Sequence, residues 1–147
     1  MSRIGRTTVA LAILTILALV TAAPAAAVFS VIQTDLTGPD IGGKTPRGIA
    51  TVDQSQLPVP GILTLRVSGV NLTDGTVLTV VMTDCEAFSG SAIVGTITLE
   101  RGKARATITL PSEPSVCQVG HSSSIFLQLA DGTVVLEGGS PWEVRRA

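Results

Sequence analysis

Tyrosine is absent from this 147-residue chain, and the remaining aromatic residues are three phenylalanines and one tryptophan. Holding single-stranded nucleic acid takes a platform of stacked rings in a basic groove, and neither is here. Basic residues beyond position 27 are dispersed as Lys44, Arg47, Arg66, Arg101, Lys103, Arg105, Arg145 and Arg146, against 11 acidic ones. No phosphate-tracking run results, so nucleic acid is not an expected partner. Histidine occurs once, at His121, and cysteine twice, at Cys85 and Cys117. Two thiols and one distant imidazole fall short of the usual structural zinc set, so no metal or other cofactor is expected. Long helical periods are missing too. Beyond residue 27 no run of ten residues keeps a 3.6-residue repeat clear of glycine, proline or clustered β-branched residues, and no helix is predicted there.

The start of the chain is of another kind. Arg3 and Arg6 precede an apolar run from Val9 to Val20 broken only by Thr15, and Ala25-Ala26-Ala27 supplies the small residues that a signal peptidase reads. Residues 1–27 are therefore predicted to be a signal peptide, helical during export and cut between Ala27 and Val28, its alanine-rich composition bacterial in character. An uncleaved anchor is the competing reading, because Val9 to Ala27 approaches the length of a membrane span. Pro24, the alanines and the lack of a charged stop after Val28 favour cleavage. The mature chain, residues 28–147, is then secreted or extracytoplasmic and meets the membrane only through the signal peptide during export. Its length suits one domain. In that oxidising setting Cys85 and Cys117 are expected to form one disulfide, closing a loop of about 33 residues worth about 3.7 kcal/mol of unfolded-state entropy.

From Val28 onward the dominant signal is two-residue alternation. Ile62 to Met82 reads as a hairpin: Leu63, Leu65 and Val67 alternate with Thr64, Arg66 and Ser68, Asn71 to Gly75 has turn chemistry, and Thr76 to Met82 is a second β-branched run. Further strands are predicted over Val28 to Leu36, Ile49 to Asp53, Ser91 to Leu99, Lys103 to Leu110, Ser124 to Leu129 and Thr133 to Glu137, with a last short one from Trp142 to Val144. In Ser91 to Leu99 the residues Ile93, Ile97 and Leu99 are assigned to one face, with Gly95 marking a bulge or a close backbone approach. Glu100-Arg101-Gly102 is read as a three-residue hairpin loop, and Asp131-Gly132 as a tight turn. Inward Ala104 and Ala106 imply that something bulky lies opposite them. Leu72 to Val77 and Leu129 to Val134 match at five of six positions, 57 residues apart; one turn chemistry used twice accounts for this as well as a duplication does. The expected fold is all-β, an antiparallel, immunoglobulin-like β-sandwich of about seven to nine short strands, with a closed barrel as the second choice.

Chemistry-bearing residues are sparse. His121 precedes Ser122-Ser123-Ser124, but neighbours on an extended chain point to opposite sides, and no Gly-x-Ser-x-Gly elbow presents a nucleophile. Asp84 and Glu86, with Asp74, carry oxygen ligands for calcium, yet a usable site takes six or more oxygens and no dense Asp/Asn pattern is present. Trp142 is read as closing the bottom of the core rather than as a sugar platform. Asn71-Leu72-Thr73 is an N-glycosylation tripeptide and marks an exposed turn.

Two resemblances attach to these residues. Gly75 to Val80, followed by Val94 to Leu99 and Gly102, resembles a pattern in exported β-rich bacterial proteins to which no activity is assigned. Leu36-Thr37-Gly38 and Thr45-Pro46-Arg47-Gly48-Ile49-Ala50 resemble the start of the CHRD domain family of extracellular β-domains; that family's later histidine motif has no counterpart around His121. Both imply an exported β-domain and neither implies a reaction. The expected function is a non-catalytic structural or adhesive module of the cell surface or extracellular space, meeting a protein or glycan. The alternative is a small secreted hydrolase-type enzyme whose His, Ser and Asp residues meet only in the fold. Thiol titration of denatured, unreduced protein is expected to find no reactive cysteine; two reactive thiols would remove the bridge.

Overall fold

The computed structural model describes residues 31–55, 60–83, 90–111, 119 and 123–145. Among these described residues nine strands run β1 Val31–Thr37, β2 Arg47–Asp53, β3 Ile62–Ser68, β4 Val77–Thr83, β5 Ser91–Thr98, β6 Ala104–Thr109, β7 Ser124–Gln128, β8 Val134–Gly139 and β9 Glu143–Val144. All pairings are antiparallel, in the order β5-β4-β7-β8-β1-β2-β3-β6, with β9 also on β1. The two halves of this sheet face each other across one core and are joined between β8 and β1 by a single residue pair, Thr37 with Glu137. The result is a nearly closed, barrel-like sheet. The expectation of two separate, immunoglobulin-like sheets is corrected accordingly: β1, β2 and β3 pair in succession instead of crossing between layers.

Alternation along each strand explains which side chains fill the interior. Ile32, Thr34 and Leu36 of β1, Ala50 and Val52 of β2, Leu63, Leu65 and Val67 of β3, and Leu78, Val80 and Met82 of β4 are all buried, while the residues that alternate with them face out. Rows across the sheet alternate large with small, as in Thr34, Ala50, Leu65 and Ala106. Ala104 and Ala106 thus face inward beside the bulkier Val67 and Leu65. Burying an aliphatic side chain contributes about 1.5–3 kcal/mol, and among the described residues this core is aliphatic except for Met82 and Trp142, the latter 2% exposed. Its indole N–H donates to the Ser123 carbonyl at 2.8 Å, and β9 follows it directly, so the predicted closure of the core by Trp142 and the short last strand are both found.

Three local expectations are corrected. Ile62 to Met82 is not a hairpin: β3 pairs with β2 and β6, β4 with β5 and β7. The segment between them crosses the β5–β6 turn instead. Val70 N–H donates to Gly102 O, Gly75 N–H to Leu99 O and Leu99 N–H to Thr76 O, and the Asp74 carboxylate accepts from the Arg101 N–H at 2.6 Å. The β5–β6 turn itself has two central residues, Arg101 and Gly102, at φ 51 and 71 between the bridged Glu100 and Lys103, as a type I′ turn requires. The strands it joins are not the expected hairpin partners: β5 pairs with β4 and β6 with β3. Finally, the pairings Val80–Gly95 and Val81–Ile93 leave Val94 as an extra residue. That bulge turns Ile93 outward, to 72% exposed, away from the face of Ile97 and Leu99. Gly95 does allow a close approach: a Cβ there would lie 2.9 Å from the Ile108 methyl.

Side chains take over where backbone pairing stops. The Thr34 hydroxyl donates to the Gly139 carbonyl at 3.0 Å and accepts from its N–H at 3.1 Å, bridging the gap between β1 and β8. Buried Gln54 does the same for Val119, its amide donating to Val119 O at 3.1 Å and accepting from Val119 N–H at 2.8 Å. Gln54→Met keeps the volume but strands both backbone groups, each unsatisfied group costing about 1–3 kcal/mol. A loss of about 2 kcal/mol or more is expected, read by urea unfolding followed through the fluorescence of the sole tryptophan.

Candidate functional site

Of the residues with chemical potential, His121, Ser122, Asp84, Glu86, Cys85, Cys117, Ala27 and Val28 lie outside the described residues. Ser123 is fully buried beneath Trp142, and Ser124 opens β7, half-buried, opposite Thr83 and Gly139. Asp74 is committed to the Arg101 N–H, a structural use of the carboxylate. Asn71 is exposed, its side-chain amide donating to Gly42 O. Among the described residues no three His, Cys, Asp or Glu side chains gather as a metal site would need.

What the fold does assemble lies on the outer surface of β5, β4, β7 and β8. Register places Ile93, Val81 and Phe126 side by side on successive strands, an apolar row across the sheet. The rows on either side are polar: Ser91, Thr83 and Ser124 on one, Thr96, Thr79 and Gln128 on the other. Leu129 and Val134 extend the apolar surface into a shallow hollow of ≈ 570 Å³. Sequence periodicity misses this surface because it needs Ile93 outward, and only the bulge at Val94 puts it there. The signal that could have found it is the run Ile93-Val94 before Gly95, where two adjacent large aliphatic residues cannot both face in on a regular strand.

No family model, curated protein or solved structure matches the chain. Function is therefore argued from the surface itself.

Electrostatics adds a negative point. Asp53 and Asp131 have carboxyls held below the ordinary value of 3.8, Asp53 by the Ser55 hydroxyl and then its N–H, Asp131 by the Thr133 N–H and then its hydroxyl. The backbone bonds are 2.9 Å in each case. Both aspartates staple turns at the sheet's ends, and neither lines the apolar hollow. Shifted acidity marks local turn chemistry here, not a reacting group. A depressed carboxyl contributes stability that is present above its unfolded value and is lost as pH falls through the lower folded value. Acid weakening from these two is thus expected below pH 3.8, and Asp53→Asn/Asp131→Asn should flatten the fall in urea midpoint in that window while leaving the neutral-pH slope unchanged.

Proposed function

We propose that the protein is an exported, non-catalytic binding module that docks a protein partner against the Ile93, Val81 and Phe126 row at the cell surface or in the extracellular space. The signal-peptide pattern of residues 1–27, the single disulfide expected between Cys85 and Cys117 and the lack of an organised catalytic set in the sequence support an exported module. The observation that carries the docking reading is Ile93, a large aliphatic side chain 72% exposed on the terminal strand β5 and turned out by a bulge into line with Val81 and Phe126. Bulges of this sort re-aim a side chain at a defined position. An aliphatic row bordered by hydroxyls and an amide suits the apolar centre and polar rim of a protein interface. It suits a sugar less well, since sugars are held by stacked rings and among the described residues Phe126 is the only ring on this surface.

Substitution separates this reading from mere exposure. Ile93→Glu is expected to leave the unfolding midpoint unchanged, because the side chain is in water, and to weaken partner capture from the native extracellular fraction at least tenfold relative to the parent. Equal capture by both would overturn it. Self-association of the parent that Ile93→Glu abolishes, seen by analytical ultracentrifugation, would make the partner a second copy of this chain.

A further inference from the structure

The opposite outer face, on β1, β2, β3 and β6, carries charge. Asp35, Ile49, Arg66 and Arg105 stand in one row across the four strands. Arg66 and Arg105 are directly opposite each other, a pairing of like charges that works against the sheet. A third cation arrives with β9: the Arg145 N–H donates to Val31 O at 2.8 Å, and Arg145 shares with Arg66 and Arg105 a hollow of ≈ 370 Å³ whose lining includes Gln33, Thr51 and Thr64. Thr51 and Thr64 are themselves cross-strand partners.

Among the described residues no carboxylate lines this hollow. Asp35 lies two strands from Arg66, beyond Ile49, and Glu143 pairs with Gln33 on the far strand. Among the described residues no hydrogen bond or ion pair engages the guanidinium of Arg66, Arg105 or Arg145. Protection of an exposed strand accounts for Arg105 and Lys103, since β6 ends the sheet and charges there discourage pairing with other chains. It does not account for Arg66, which stands on β3 between β2 and β6, or for Arg145.

We propose that this hollow binds a phosphate- or sulfate-type oxyanion group. Guanidinium groups present paired donors that match the spacing of such oxygens, and the Thr51 and Thr64 hydroxyls and the Gln33 amide add neutral donors for oxygens that the arginines leave. The repulsion between Arg66 and Arg105 is relieved when the anion sits between them. A single small anionic group is favoured over a polyanion surface because the whole chain has a formal charge of −1 and the hollow gathers only three arginines. The site is on the other half of the sheet from the Ile93 row and does not depend on the docking reading.

The test is thermal unfolding and calorimetric titration of the parent, Arg66→Gln and Arg66→Gln/Arg105→Gln with sodium phosphate and sodium sulfate, against sodium chloride at matched ionic strength. Phosphate and sulfate are expected to raise the parent's Tm above the chloride value. Arg66→Gln should bind phosphate at least tenfold more weakly, and the double variant should show no difference from chloride. In chloride alone Arg66→Gln should melt no lower than the parent, since a like charge has been removed; a purely structural arginine would show the reverse. Co-sedimentation with vesicles of phosphatidylglycerol in phosphatidylcholine, lost in the double variant, would assign the oxyanion to a lipid headgroup. A response to phosphate with no vesicle binding assigns it to a soluble ligand. Equal response of parent and double variant to both anions and to vesicles overturns the site. Ile93→Glu should behave as the parent throughout, so failure here and failure of the docking reading are read separately.

Discussion

The segment from Val70 to Thr76 is the constraint on which the arrangement turns. It leaves β3, crosses the β5–β6 turn and enters β4, so strands adjacent in sequence end up in opposite halves of the sheet. Four backbone groups of that turn and strand end are engaged by the crossing: Gly102 O, Leu99 O, Leu99 N–H and Arg101 N–H. Because Arg101 holds a positive φ, which costs a residue with a Cβ about 1–2 kcal/mol, the turn needs external support, and the Asp74 carboxylate supplies it. With β3 and β4 kept apart, β3 is free to pair with β6 and β4 with β7. That choice converts what would be a simple meander into a sheet that curls around a single core.

Strand positions were legible in the sequence because period-two alternation is a local property. Pairing was not. Leu72 to Val77 and Leu129 to Val134 differ at one position of six, and Gly75 and Gly132 take nearly the same φ, 84 and 87. Yet Asp131 accepts from Thr133 two residues on and closes a true hairpin, whereas Asp74 reaches across to Arg101 and serves a crossing. Turn chemistry specifies a bend and says nothing of what the next strand will pair with. The Ile93 assignment failed for a related reason. A one-residue insertion in β5 shifts every later side chain to the other face, and whether Val94 is that insertion depends on its register with Val80 and Val81, which belong to another strand.

Both candidate surfaces share this dependence on long-range register. The apolar row draws on β4, β5 and β7; the arginine hollow draws on residues from Gln33 to Arg145. In the sequence the basic residues look dispersed, and by chain distance they are. Antiparallel pairing of β2 with β3 and β3 with β6, plus the docking of β9 on β1, brings three of them over one concavity. Composition could exclude a continuous basic tract but could not exclude a local one.

The two faces also bear on how a sheet that does not fully close avoids indiscriminate pairing. Among the described residues β5 pairs only with β4 and β6 only with β3, and the gap between β5 and β6 is packed by the Ile108 side chain against Gly95 rather than by a backbone ladder. Unpaired strand edges attract other chains unless something interrupts or charges them. The bulge at Val94 interrupts β5, and Lys103 and Arg105 charge β6. Each guard has a second consequence: the bulge exposes Ile93, and the charge places Arg105 opposite Arg66. On this account edge protection contributes one member to each surface, Ile93 to the apolar row and Arg105 to the hollow, while Arg66 and Arg145 stand away from the open edge and need a separate reason.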